Sequence, residues 1–101
     1  MQFCPWYQLA EAATHAPAIE GVLQLRLARG LIDYPTGKSA MVRYEHATDV
    51  RARAIALAAE LAGRDLLCRH LDADAGTDLA QFHAKVRDEF VRRFGAPPAL
   101  P

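Results

Sequence analysis

The chain has 101 residues, about half of them hydrophobic and a quarter charged, and its twelve basic and twelve acidic side chains cancel. That length suits one domain burying roughly 65% of its unfolded surface without metal or disulfide support, and the composition is unlike that of a disordered tail. Zero net charge argues against a sequence-indifferent nucleic-acid clamp, which carries a basic excess, although a local patch fits inside a neutral total.

Ten of the twelve basic residues are arginine, which suits planar, bidentate contacts to phosphate or carboxylate. A GC-rich genome produces the same arginine and alanine richness. Cys4 and Cys68 lie far apart and form no metal-type spacing, so a reduced, cytoplasmic setting is expected. The opening MQFCPWYQLAEAATHAP lacks a basic segment followed by an apolar core and is not read as a signal peptide. No apolar run approaches the roughly 20 residues that span a bilayer, so no membrane partner is expected.

In chain order, Trp6, Leu9, Ala10 and Ala13 recur at helical spacing, predicting a first helix over residues 5–16 that Pro17 stops. Residues 22–28 alternate, with Leu23, Leu25 and Leu27 on one side, as in a strand with one buried face. Residues 29–39 read as a long connection broken by Gly30, Pro35 and Gly37, with Leu31-Ile32 a short extended piece. A second strand is predicted over residues 40–46. Thr48 or Asp49 then caps a helix with the stripe Val50, Ala54, Leu57 and Leu61, ended by Gly63. A third strand covers residues 66–71. Asp78, with Gln81 three residues on, opens a last helix with the stripe Leu79, Phe82, Val86, Phe90 and Phe94. The expectation is one α+β domain over residues 1–101, order α-β-β-α-β-α, with a small, mainly antiparallel three-stranded sheet. Residues 1–17 form a helical extension and 96–101 a tail.

The run Pro35-Thr-Gly-Lys-Ser39 contains the end of a phosphate-binding P-loop, but Ile32 stands where that loop needs its earlier glycine. It also leads into a predicted strand instead of a helix, so nucleotide binding there is not expected.

Residues 41–53, MVRYEHATDVRAR, carry the most specific pattern. Together with Gly21-Val22-Leu23, which stands where Gly-Ile-Tyr would, they resemble the two signatures of the GIY-YIG nuclease family. The likeness extends over residues 21–98. Arg43-Tyr44-Glu45 occupies the Tyr-Ile-Gly position, Arg53 matches the catalytic arginine, and residues 88–94 with Pro97 resemble the last helix. The resemblance implies a three-stranded α+β scaffold and, in an active member, phosphodiester hydrolysis with one divalent cation, Mg or Mn. In that chemistry a tyrosine positions water, an arginine steadies phosphate charge and a glutamate holds the metal. This chain departs from it. Leu23 has no phenol oxygen, Arg43 replaces the second tyrosine and Glu45 a glycine. Arg87 falls at the metal ligand, with Asp88 and Glu89 beside it.

Two functions follow from that pattern. One is a noncatalytic domain binding a protein or nucleic-acid partner through the degenerate active-site face, with Arg43, Arg53 and His46 as candidate anion-binding residues and no resident cofactor or metal. The other is a diverged metal-dependent phosphodiesterase using Arg53, Tyr44 and Glu89. Arg53 borders the buried stripe of its helix, where an arginine commonly packs its stem and pairs with a carboxylate such as Glu45 or Asp49. Cys68 and His70 share a strand face, and His46 would join them if its strand were adjacent.

Overall fold

Residues 21 to 25 are all buried, Gln24 included, so the strand that carries them needs a partner on each edge and a cover on each face. The computed structural model, which describes residues 1–100, provides both. Its elements in chain order are β1 (Gln2–Phe3), β2 (Tyr7–Gln8), a 3-10 turn (Leu9–Glu11), α1 (Ala12–His15), β3 (Gly21–Leu27), β4 (Ile32–Tyr34), β5 (Gly37–Ser39), β6 (Met41–Ala47), α2 (Val50–Glu60), β7 (Leu66–Asp72) and α3 (Leu79–Phe94).

Strand β3 lies in the middle of an antiparallel sheet, with β6 on one edge and β7 on the other. Leu23 stands opposite Glu45 on β6 and His70 on β7, and Leu25 opposite Arg43 and Cys68. Directly opposed residues share a face, so this one register places all six side chains on the same side of the sheet.

Helix α2 covers that side. Val50, Ala54 and Leu57 are buried against Leu23, Leu25 and Cys68, and Leu61 packs at their margin. Asp49 caps the helix by accepting from the Ala52 N–H at 3.0 Å, which satisfies one of the first-turn donors that a helix cannot bond internally. The Val50 and Arg51 N–H groups donate to the carbonyls of Ile19 and Pro17. The segment before β3 therefore ties down the start of α2.

Helix α3 covers the other side. Asp78 accepts from the Gln81 N–H at 3.0 Å, the cap expected from the sequence. Of the predicted stripe only Phe90 is fully buried, set edge-on against Tyr34 and Tyr44 with ring centroids 5.0 and 5.6 Å away. The C-terminus of α3 is closed by Gly95 at φ 81°, a left-handed geometry suited to glycine, and by the β4–β5 hairpin. Thr36 at that hairpin's turn donates from its N–H to the Phe94 carbonyl and from its hydroxyl to the Arg93 carbonyl.

The fold is α+β, with an antiparallel sheet and three helices. Strands β3, β6 and β7 and helices α2 and α3 stand where the sequence predicts them. The first helix does not. Residues 5–16 form β2, the 3-10 turn and only a four-residue helix, so the order begins with strands instead of α and the sheet has five strands instead of three. The outer edge of β7 needs hydrogen-bond partners, and residues 2–3 and 7–8 supply them, Tyr7 opposite Cys68 and Phe3 opposite Leu71. Pro5, which has no N–H to give, divides the two short strands. Trp6 faces the guanidinium of Arg69 at 4.4 Å instead of anchoring a helix, while Leu9, Ala12 and Ala16 enter the core beneath α2. The connection over residues 29–39 is likewise more ordered than predicted, because residues 32–34 and 37–39 pair as a hairpin. Lys38 and Ser39 lie in its second strand, where Lys38 faces Asp33 at 3.5 Å.

Gly21 lets the sheet and helix approach closely, since a Cβ there would stand 2.8 Å from Val50 Cγ2. Gly21→Ala is expected to lower stability by about 1–3 kcal/mol through overpacking. Chemical denaturation should show less than additive loss when Val50→Ala is combined with it.

Candidate functional site

The free edge of the sheet is β6, and the candidate residues gather around it. Alternation along β6 sends Arg43 and Glu45 toward the α2 side, and Tyr44 and His46 toward the α3 side. A cleft of about 670 Å³ runs along this edge, with Tyr44, Glu45, His46, Asp49, Arg53 and His83 in its wall. His83 closes part of the edge by sending Nε2 to the Tyr44 carbonyl at 3.1 Å.

Arg53 does not face the cleft as a free cation. Its Nε donates to Glu45 Oε2 at 2.7 Å and its Nη2 to Glu45 Oε1 at 2.9 Å, a fork-to-fork pair of the strong, directional kind. Its Nη1 also lies 3.5 Å from Glu60 Oε1. Glu45 takes a further donor from Arg43 Nη1 at 3.3 Å, so one carboxylate is held between two guanidinium groups. Burial alone would push the Glu45 carboxyl up, but the Arg53 hydrogen bonds and the charges of Arg53 and Arg43 outweigh it and hold Glu45 below the usual carboxylate range. Its hydrogen bonds to Glu45 in turn raise Arg53 above the ordinary guanidinium range. Arg43 and Arg53, the candidate anion-binding pair, are thus brought together, and Glu45 and Glu60 balance their charge.

The other candidates stand apart from this cluster. His46 points to the opposite side and pairs with Glu20 at 2.7 Å. Tyr44 packs on Phe90, and burial raises its phenol, with Arg69 opposing. Glu89 is exposed on α3 and lines a separate depression of about 280 Å³ with Gln24, Tyr44 and Arg93. Arg53 and Glu89 therefore border different hollows, and Tyr44 alone of the three touches both. Arg87 and Asp88 are exposed. Leu23, in the first tyrosine position, is fully buried beneath α2. The carboxylates that the resemblance sets beside its metal ligand, Asp88 and Glu89, are both exposed on α3 and Glu89 borders a different hollow from Arg53, so they form no donor set with it for the divalent cation that the resemblance implies. Among the described residues no group of three or more His, Cys, Asp or Glu side chains is arranged to hold a metal.

Cys68 and His70 do share a face, but His46 does not join them. Strand β3 separates β6 from β7, and His46 stands opposite Val22 while His70 stands opposite Leu23, which puts the two imidazoles on opposite sides of the sheet.

Three partners in this region were not read from the sequence. Glu60 was legible, since it follows Arg53 by seven residues, two helical turns along one face. Glu20 and His83 were not, because only the tertiary fold brings them to β6.

Comparison of the chain with family models, with curated proteins and with solved structures finds no match.

Because Glu45 is depressed in the folded chain, the stability it contributes is complete above the ordinary carboxylate range and is lost as pH falls through its lowered value. Glu45→Gln is expected to cost about 1–2 kcal/mol at neutral pH. Urea titrations repeated toward acid pH should show the gap between the two proteins closing.

Proposed function

We propose that this chain is a noncatalytic domain on a GIY-YIG-like scaffold and that it binds a protein partner through the cleft along β6. The observation that carries the reading is the bidentate commitment of Arg53 to Glu45 at 2.7 and 2.9 Å. An arginine that stabilises a transferring phosphate has to offer its donors to the phosphate oxygens, and here Nε and Nη2 are turned to the Glu45 carboxylate while Nη1 lies 3.5 Å from Glu60.

Three further features support it. A strand, a second antiparallel strand, a helix, a third strand and a last helix follow one another in the order the resemblance implies. The start of α2 has no donors to spare for phosphate, since Asp49, Ile19 and Pro17 accept from Ala52, Val50 and Arg51. The cleft wall sets Arg53 against Glu45 and Asp49 and so carries no excess of positive charge, a surface better matched to a polar protein face than to a polyanion. No helix among the described residues is long and apolar enough to cross a membrane.

A photo-crosslinking side chain at Thr48, which is exposed in the cleft wall, tests the reading in living cells. A discrete protein adduct that Glu45→Lys abolishes is expected. Branched, nicked and single-stranded DNA and RNA incubated with the protein in Mg²⁺ or Mn²⁺ should stay intact. Cleavage that Arg53→Ala removes would overturn the proposal, and a nucleic-acid adduct with salt-dependent binding would replace the protein partner by a polyanion.

A further inference from the structure

A second cluster of reactive side chains lies at the other edge of the sheet, where β1 and β2 pair with β7 on either side of Pro5. The Cys4 N–H donates to the His70 carbonyl at 2.9 Å, and the His70 N–H donates to Cys4 Sγ at 3.3 Å. On the imidazole, Nε2 is 3.5 Å from Asp72 Oδ1, while Nδ1 is 3.1 Å from the Tyr7 hydroxyl and 3.4 Å from Cys4 Sγ. A carboxylate only accepts, so Asp72 favours the hydrogen on Nε2 and leaves Nδ1 as the acceptor that faces the thiol.

Tyr7 competes for that acceptor. Its oxygen accepts from the Cys68 thiol at 3.6 Å, which leaves its own hydrogen to donate to Nδ1. The Cys4 hydrogen can point to Nδ1 or to the Pro5 carbonyl at 3.3 Å. A pocket of about 390 Å³ opens on this group, walled by Cys4, Pro5, Trp6, Tyr7, His15 and His70, with the His15 ring stacked on Tyr7 at 5.0 Å.

We infer that this pocket is a thiol–disulfide exchange site, in which Cys4 is the nucleophile, His70 accepts and returns its proton, and the substrate is a low-molecular-weight disulfide that leaves a mixed disulfide on Cys4. The step balances within those groups. Cys4 Sγ–H passes its proton to Nδ1, and the sulfur electron pair forms a bond to one substrate sulfur. The substrate S–S bond breaks, its electron pair goes to the leaving sulfur, and that thiolate takes the proton from Nδ1. Cys4 is oxidised as the leaving sulfur is reduced to a thiol, so no other oxidant is needed. Exchange of this kind requires a thiol, a proton acceptor that can take its hydrogen, and room for the substrate, all of which meet here. Acyl transfer would require in addition a set of donors aimed at an oxyanion.

Protonation states agree with a base-assisted step. Burial pushes the Cys4 thiol up, with the His70 N–H opposing, and pushes buried Cys68 up to about 11. Burial also lowers His70, with Asp72 opposing, so at neutral pH an uncharged imidazole faces an uncharged thiol. The charged and titratable groups facing the pair are Asp72, Arg69 and Cys68 on β7, Tyr7 on β2 and His15 on α1. The Nδ1 pathway then gives a rate that is flat between the ordinary imidazole and thiol ranges, where an unassisted thiol reacts faster with every step in pH.

The test is the rate at which glutathione disulfide places a glutathionyl group on the Cys4 peptide of the full chain, read by mass spectrometry across pH. Wild type is expected to show the flat profile. His70→Gln is expected to react about tenfold more slowly at neutral pH and to climb with pH. Tyr7→Phe, which releases Nδ1 to the thiol, is expected to react severalfold faster. Asp72 is a positioning residue with an exposed side chain, so Asp72→Asn should keep the fold, slow the reaction and steepen the profile. Modification at Cys68 instead of Cys4, a wild-type profile in either His70→Gln or Asp72→Asn, or equal slowing by Tyr7→Phe and His70→Gln would overturn the inference.

Discussion

Burial of β3 on both faces is the constraint from which the remaining structure follows. A strand covered on one side needs a single layer, but Val22 and Gln24 are buried as well as Leu23 and Leu25. One helix must therefore lie on each side, α2 with the N-terminal segment on the first and α3 on the second. Gly21 lets Val50 approach β3 closely, which fixes the start of α2 relative to the strand. With the centre covered, only the two edges of the sheet remain for polar chemistry. Both chemical clusters lie there, the Arg43–Glu45–Arg53 group at β6 and the Cys4–Tyr7–His70 group at β7.

The first cluster ties α2 to β6. Two guanidinium groups cost desolvation when they are drawn against a helix and a strand, and one carboxylate between them offsets that cost. Glu45 does this from the position where the resembled family has glycine. The edge of β6 is then a hydrogen-bonded rim whose concavity is walled by the first turns of α2 and by His83 of α3.

Much of this was legible in the sequence where local rules decide. Alternation in residues 22–28 and 40–46, Asp49 and Asp78 as caps, and Gly63 and Gly95 as stops all specified elements that the fold retains. The stripe Trp6, Leu9, Ala10 and Ala13 misled because its spacing is shared by a helix and by a chain that first pairs with a strand and then turns. The need of β7 for a partner, a tertiary demand, decided between them. The same reason hid the Cys4 cluster, since pairing of residues 2–8 with β7 is what sets Cys4 beside His70. Arg53 was legible as a residue at the margin of a buried stripe, and Glu45 as its neighbour. That both oxygens of Glu45 would engage it depends on the register of β6 against β3.

Arg53 is held by Glu45 through Nε and Nη2 and lies against Glu60 at Nη1. Side-chain ¹⁵N NMR of the Arg53 Nε–H group measures this directly. A distinct, slowly exchanging signal is expected, one that excess inorganic phosphate does not move and that Glu45→Gln collapses into the solvent-averaged range. A signal already averaged in the wild type, or one that shifts and saturates with added phosphate, would contradict it.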